Sequence, residues 1–232
     1  DETGTLWIMI HSGSRNLGKL VGDYYNEKAK KLNERWYSVV SPDIRLSFLP
    51  LRTDEFNAYW QEMKYCVDFA LCNRKLMMKR IEEVIKDAIP EIGFEPMINI
   101  AHNYAAWERH YGQDVIVHRK GATLAREGVI GIIPGSQGTA SYIVEGLGNP
   151  ESFCSCSHGA GRTLSRTAAI RDLNLKEEVE RLDALGIIHA IRNQNDMQEA
   201  SGAYKDIETV IANEADLVKV KTRLLPVAVI KG

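Results

Sequence analysis

A helical apolar periodicity runs from Asp54 to about Ile89 and stops at Pro90. Phe56, Tyr59, Trp60, Met63, Cys66, Val67, Ala70, Met77, Ile81, Val84 and Ile85 recur at spacings of three and four, which predicts one long α-helix. Thr53 is a good N-cap, and Asp54 and Glu55 suit the positive end of the helix macrodipole. Pro90 cannot continue the ladder. This helix reads as scaffold rather than site.

The rest of the chain is organised differently. A second helix is expected from Leu17 to about Trp36, with Leu17, Leu20, Val21, Tyr24, Lys28 and Leu32 on one face. Short apolar strands are expected at Thr5 to Ile10, Met97 to Ala101, Val115 to His118, Val129 to Ile133, Ala140 to Val144 and Pro226 to Ile230. A helix is expected to start within Gly159 to Arg162 and reach about Leu173, with charged helices at 175–185 and 206–215. Strands and helices without regular alternation point to the α+β class: mixed sheets, surrounding helices and one long helix.

The chain has 232 residues, which favours one large domain over 1–232. Hydrophobic residues are 44% and charged residues 26%, so disorder and a disulfide mini-scaffold are excluded. No window approaches 18 apolar residues without a charge, so no membrane span is expected. The net charge of −2 is not that of a protein that coats nucleic acid by bulk charge. A local basic site remains open. Between Val117 and Arg171 there are six Lys/Arg and three Glu, followed by four Lys/Arg and eleven Asp/Glu up to Val218. Four cysteines without a signal peptide suggest free thiols in a reducing, cytoplasmic setting. The opening Asp1-Glu2-Thr3-Gly4 reads as a hairpin turn before a strand that needs a partner, so an N-terminal part is expected to be missing.

Three of the six histidines, His11, His102 and His158, stand at the ends of apolar runs beside Gly, Asn or Arg. Strand ends followed by loops are common sites of chemistry. Imidazole is both a metal ligand and a nucleophile, although a single such residue more often bonds locally. His11 and His102 are far apart in the chain, so any metal site they share is assembled by the fold. The Gly/Ser loop Pro134-Gly135-Ser136-Gln137-Gly138-Thr139 can offer backbone N–H groups and hydroxyls to a phosphate, but it also fits a tight turn. In Ser157-His158-Gly159-Ala160-Gly161-Arg162, small residues allow close approach of a ligand. Arg162 and Arg166 are expected one helical turn apart, facing one phosphate site, with His158 just before the helix N-terminus. Arg15, Arg119 and Lys120 lie in Gly-containing stretches that can extend a phosphate track.

His11-Ser12-Gly13-Ser14-Arg15, His102-Asn103-Tyr104, His118-Arg119-Lys120-Gly121-Ala122, Pro134-Gly135-Ser136-Gln137-Gly138 and Ser157-His158-Gly159-Ala160-Gly161-Arg162 stand in the order seen in the RNA-splicing ligase RtcB family. The ending Pro226 to Gly232 is also similar, and the resemblance covers essentially all of the chain. It implies the family's fold and a ligase that uses GTP and Mn²⁺, two ions per complete site. Such an enzyme joins an RNA 3′-phosphate or 2′,3′-cyclic phosphate to a 5′-hydroxyl. A histidine takes GMP from GTP, GMP passes to the RNA 3′-phosphate, and the 5′-hydroxyl displaces it.

By motif position His158 resembles the guanylylated histidine, and His11 and His102 resemble two metal-binding histidines. Asn103, Pro134, Gly135, Ser136, Gln137, Ser141, His158, Gly159, Ala160, Gly161, Tyr204 and Lys231 match guanylate-binding positions. Tyr204 rests on the short motif Ala203-Tyr204-Lys205-Asp206. Arg15, Lys120, Arg162 and Arg166 become candidates for an RNA or phosphate track. The implied partners are RNA, as tRNA halves or broken ends, GTP and an archease-type activator.

Two departures stand out. Gln137 occupies a position where the family commonly has Met. The family's N-terminal aspartate, cysteine and Asn-His metal motif has no counterpart here, and Cys66 and Cys72 do not match that cysteine. Two other readings compete: a metal-dependent phosphoesterase without a nucleotidyl intermediate, and a non-catalytic RNA-binding remnant.

Overall fold

The computed structural model describes residues 1–38, 40–41, 44 and 46–230. They pack as two compact units, Met9–Tyr104 and Asp1–Ile8 with Ala105–Gly232.

The first unit is helical. Helix α1 spans Leu17–Arg35 and α2 spans Asp54–Ala88. Thr53 caps α2, its hydroxyl accepting from Phe56 N–H at 3.2 Å, and Pro90 follows the last turn. The helices meet where Gly18 approaches Cys66, the one buried residue of α2, and where Tyr25 Oη donates to Glu62 at 2.9 Å. The stripe that α1 buries is Tyr25, Ala29 and Asn33, one residue round from the expected Tyr24, Lys28 and Leu32. Asn33 explains the rotation. Its amide both donates to and accepts from the Phe48 backbone, at 2.9 and 3.0 Å, as a strand neighbour would.

The second unit holds small sheets. Strands β1 (Asn103–His110) and β2 (Gln113–Lys120) pair through a two-residue turn, Tyr111-Gly112, with φ of 50° and 77°. Two positive φ values give the mirror-type turn whose twist suits a hairpin. Strand β3 (Ala122–Leu124) is followed by β4 (Ile130–Ile133), β5 (Ser141–Gly146) and β6 (Ser155–Ser157). Helices α3 (Arg166–Asp172) and α4 (Leu175–Ala184) precede β7 (Ile188–His189), α5 (Ile207–Ala212), β8 (Val218–Leu224) and β9 (Ala228–Val229). The β4–β5–β8 sheet is antiparallel, as is β3–β6; β7–β9 is a parallel pair. This is the expected α+β class. No described helix is long and apolar enough to cross a membrane.

Three expected elements differ. Residues 5–10 and 97–101 are not strands. Near the start of the chain, the Asp1 carboxylate accepts from the backbone N–H groups of Thr3 and Thr5, which a ladder would otherwise use, and from the Trp7 indole Nε1. The helix expected from Gly159 starts only at Arg166. Gly161 has φ +73°, and Arg162 forms an antiparallel bridge with Tyr204 instead of turning into a helix. Ser165 is the true N-cap, accepting from Ala168 N–H at 3.1 Å.

The core behind the second unit is built from Ala125, Ile133, Tyr142, Val144, Cys156, Ala160, Ile207 and Val218. Cys156 and Ala160 lie two residues either side of His158. The same burial that closes this core therefore holds the backbone of that histidine.

Candidate functional site

In the antiparallel register of β3 and β6, Ala122 faces Ser157 and Thr123 faces Cys156. One step further, Gly121 approaches His158. A Cβ added to Gly121 would stand 3.1 Å from His158 Cε1, and φ there is +65°. Only glycine meets both conditions without strain. On the other side, Ala160 N–H donates to Pro134 O at 2.9 Å, and Gly159 is within 3.1 Å of the same oxygen by the same measure. The imidazole-bearing loop is thus seated between Gly121 and the Pro134 loop.

That loop is internally braced. Gly135 N–H donates to Ser141 Oγ at 3.2 Å and Ser136 N–H to Thr139 Oγ1 at 2.7 Å. A Cβ on Gly135 would lie 2.1 Å from Ala140 O, so the turn requires glycine. Gln137 is buried, and its Nε2 donates to Glu199 O at 2.8 Å. Its side chain therefore faces the 3₁₀ turn Gln194–Glu199 rather than the loop's outer surface.

A seam joins the segment after His158 to residues 203–205. Lys205 N–H donates to Gly161 O, and Thr163 N–H to Ala203 O, both at 2.9 Å. Arg162 clamps it. Its Nε donates to Leu164 O at 2.9 Å, Nη1 to Tyr204 Oη at 3.0 Å and Nη2 to Gln198 O, while its guanidinium lies 4.8 Å from the Tyr204 ring centre. Arg162 is spent on protein groups. Arg166 is 70% exposed and touches Glu199 Oε1 through Nε at 3.3 Å. Contrary to the sequence expectation, the two arginines do not share one helix, since Arg162 precedes the helix that starts at Arg166, but they converge on the Glu199 carboxylate.

Tyr204 Oη also donates to Glu199. Burial, then the Glu199 hydrogen bond and charge, push its phenol up to about 12. Glu199, which no motif announced, therefore joins the Pro134 loop, Arg162, Arg166 and Tyr204. The available signal was an acidic residue five before Tyr204, between the fully buried Met197 and Ala200.

Behind His158, Arg119 is 2% exposed and pairs with Glu108, correcting its expected place on a phosphate track; strand alternation turns Arg119 inward. Lys120, beside it, is exposed. Ser157 N–H donates to Glu214 at 2.8 Å.

The first unit carries His11, His102, Asn103 and Arg15. The His11 and His102 ring centres are 5.5 Å apart at 67°. Two imidazoles bound to one ion place their centres at about 5 Å, taking an N–metal bond of about 2.1 Å, so the pair fits as part of a metal site. No described group of three or more His, Cys, Asp or Glu residues gathers to complete one. His11 is exposed, and His102 Nδ1 is shut from solvent. Asn103 opens β1 and is exposed. Arg15 and Asn16 adopt φ of 51° and 75°, and Arg15 is exposed. Two successive left-handed residues cost of order 1–3 kcal/mol each, and such strain clusters at functional loops. Lys231 lies outside the described residues.

A family model described as tRNA-splicing ligase RtcB matches residues 2–232. The RNA-splicing ligase RtcB of Escherichia coli K12 is 38% identical over 238 residues, covering 100% of this chain and 57% of that protein. The tRNA-splicing ligase RtcB of Nanoarchaeum equitans is 36% identical, covering 100% and 53%. That of Thermococcus kodakarensis is 35% identical, covering 99% and 53%. The chain thus spans a little over half the length of these relatives.

Proposed function

Because this chain belongs to the RtcB family, we propose that it serves a GTP-dependent RNA ligase that joins RNA 3′-phosphate or 2′,3′-cyclic phosphate ends to 5′-hydroxyl ends. The relatives' names supply the RNA and the splicing. The observation that carries the reading is the seating of His158. Its loop is held on three sides, by Gly121, by Pro134 and by the Arg162–Tyr204 seam. A nucleophile fixed in this way loses little freedom on reaching a phosphorus atom.

In the proposed first step an imidazole nitrogen of His158 forms a bond to the α-phosphorus of GTP and pyrophosphate departs. A 2′,3′-cyclic end is first opened by water to a 3′-phosphate with a free 2′-hydroxyl; an oxygen of that 3′-phosphate then takes GMP from His158, breaking the P–N bond and freeing the histidine. The RNA 5′-hydroxyl attacks that activated phosphate, displacing GMP and giving up its proton. The Pro134–Gln137 loop, Ser141, Gly159–Gly161 and Tyr204 line the same locality and are assigned to the nucleotide, with Asn103 and Lys231 assigned by motif alone. His11 and His102 would hold Mn²⁺ as two of its ligands. When bound, the ion supplies Lewis acidity at phosphoryl oxygens. Arg166, Lys120 and Arg15 are exposed cations suited to RNA phosphates. A cytoplasmic setting, tRNA splicing or RNA repair, and an archease-type helper complete the proposal.

The test is the intact mass of the polypeptide that carries this chain after incubation with GTP and Mn²⁺. The expected result is one GMP adduct that maps to His158 and is absent from His158→Ala. An adduct that survives His158→Ala overturns the mechanism.

A further inference from the structure

We infer that Arg74 is a positioning residue for the His11–His102 pair: its guanidinium, projecting from α2, fixes both backbone segments that carry the imidazoles. The inference rests on reading the pair as metal ligands.

Arg74 Nη1 donates to Ser12 O at 3.0 Å, Nη2 to Ile100 O at 3.2 Å and Nε to Asn99 Oδ1 at 2.7 Å. Ser12 is the residue after His11, and Ile100 lies two before His102. One planar group therefore grips both segments at once. Asn73 adds Nδ2 contacts to Ser12 Oγ and Gly13 O, both at 3.0 Å, and Asn99 Nδ2 reaches back to Leu71 O at 3.4 Å.

Neither 5–10 nor 97–101 forms a strand, so no ladder sets the spacing of the two histidines. The guanidinium takes its place. Its donors stand in a fixed fork, which a lysine ammonium cannot reproduce. The group is half-buried, and burial lowers its pKa. All three of its nitrogens are engaged with protein acceptors, so it acts through the backbone of the pair and not as a contact to a bound ion.

The charge makes the inference sharp. A cation near a metal site weakens metal binding by repulsion. If charge were all that mattered, Arg74→Met would tighten binding and Arg74→Lys would leave it unchanged. Positioning demands the reverse: both variants weaken it. Loss of a group that orients ligating histidines typically costs about 10–100-fold in metal affinity.

The probe is Co²⁺ alone, titrated into the polypeptide that carries this chain and followed by its visible absorption, with circular dichroism to confirm folding. Wild type should bind in a manner abolished by His11→Ala. Arg74→Met and Arg74→Lys should each bind about tenfold or more weakly. The absorption envelope of the ion still bound should change, because it reports donor geometry, which mere loss of stability would not alter. If Arg74→Met does not fold, Arg74→Lys decides. Wild-type or tighter affinity in a folded Arg74 variant, alongside loss in His11→Ala, overturns the role of Arg74 alone. Unchanged binding in His11→Ala, or no binding by wild type, overturns the metal reading and the inference with it.

Discussion

Arg119 meets Glu108 in a two-pronged ion pair with both side chains sealed from water, at 1% and 3% exposure. Nη1 reaches one carboxylate oxygen, and Nη2 lies 3.1 Å from the other. The same guanidinium donates through Nε to Ser155 Oγ at 3.0 Å and through Nη2 to Phe153 O at 2.9 Å. It therefore ties the β1–β2 hairpin to the corner that feeds β6 and His158. That corner is strained: Phe153 and Cys154 have φ of 53° and 51°. A buried pair in which each guanidinium nitrogen donates to a protein acceptor can hold such a corner, whereas half of one cannot.

Acid should loosen this arrangement. Burial alone would push the Glu108 carboxyl up, but hydrogen bonds from Arg119 and His110, with the charges of Arg119 and Arg126, more than offset it and hold it at about 2. A depressed carboxyl contributes stability that is complete above its ordinary value of 4.5 and is lost as pH falls from there toward about 2. Glu108→Gln should flatten the acid limb of a urea-denaturation series across that window. At neutral pH it should cost about 3–5 kcal/mol, because Arg119 is left buried without its counter-charge. An unchanged acid limb would remove Glu108 as its source.

Gly121→Ala isolates the seat of His158, the proposed nucleophile. The new methyl group would stand 3.1 Å from His158 Cε1 at a φ of +65°. The left-handed backbone costs about 1–2 kcal/mol, and the imidazole must yield by some tenths of an ångström. The expected outcome is a folded protein whose rate of GMP-adduct formation falls well below wild type. Intact-mass kinetics after mixing with GTP and Mn²⁺ measure it. A wild-type rate would show that His158 does not depend on this wall.

The long helix was legible because its cap, its acidic first turn and Pro90 agree with its period, and it ends within one residue of expectation. The gap in its apolar stripe between Ala70 and Met77 carried meaning as well, since Asn73 and Arg74 fill it. Periodicity treats such residues as solvent-facing, and nothing local tells that a carbonyl two dozen residues away awaits them. The late start of α3 escaped for a related reason. Ser157 to Arg162 is rich in small residues that suit a helix start, but the Arg162–Tyr204 bridge is a long-range pairing. Strand β8 was missed because its exposed face carries Lys219, Lys221 and Arg223. Among candidate residues, motifs brought His158, the Pro134 loop and Tyr204 to one locality, while Glu199 became visible only through its contacts.

Tyr204 should stay protonated through any ordinary assay. A phenol raised to about 12 gives stability that is complete below the usual value of 10 and is lost as pH climbs from there toward about 12. Tyr204→Phe should remove one late-titrating tyrosine from the tyrosinate absorbance curve and should leave any alkaline limb of GMP transfer below pH 10 in place. Loss of that limb in Tyr204→Phe would give the phenol a proton-transfer role that its surroundings do not favour.

Arg162 and Arg166 should separate cleanly, although the sequence presents them as equivalents. Arg162 gives hydrogen bonds to Leu164 O, Gln198 O and Tyr204 Oη. Hydrogen bonds involving a charged group contribute about 1.5–3 kcal/mol each, so Arg162→Ala should lower stability and slow GMP transfer and RNA joining together. Arg166 is 70% exposed, with one ion contact at 3.3 Å. Exposed pairs are worth about 0–1 kcal/mol, so Arg166→Ala should melt like wild type and transfer GMP normally. Its RNA affinity should fall, with the salt slope of binding reduced by about 1, as expected for one lost phosphate contact. The checks are thermal melts, adduct kinetics and RNA binding at several salt concentrations on both variants. A normal salt slope in Arg166→Ala would take that residue off the RNA track, and normal GMP transfer in Arg162→Ala would show that the seam does not serve the nucleotide step.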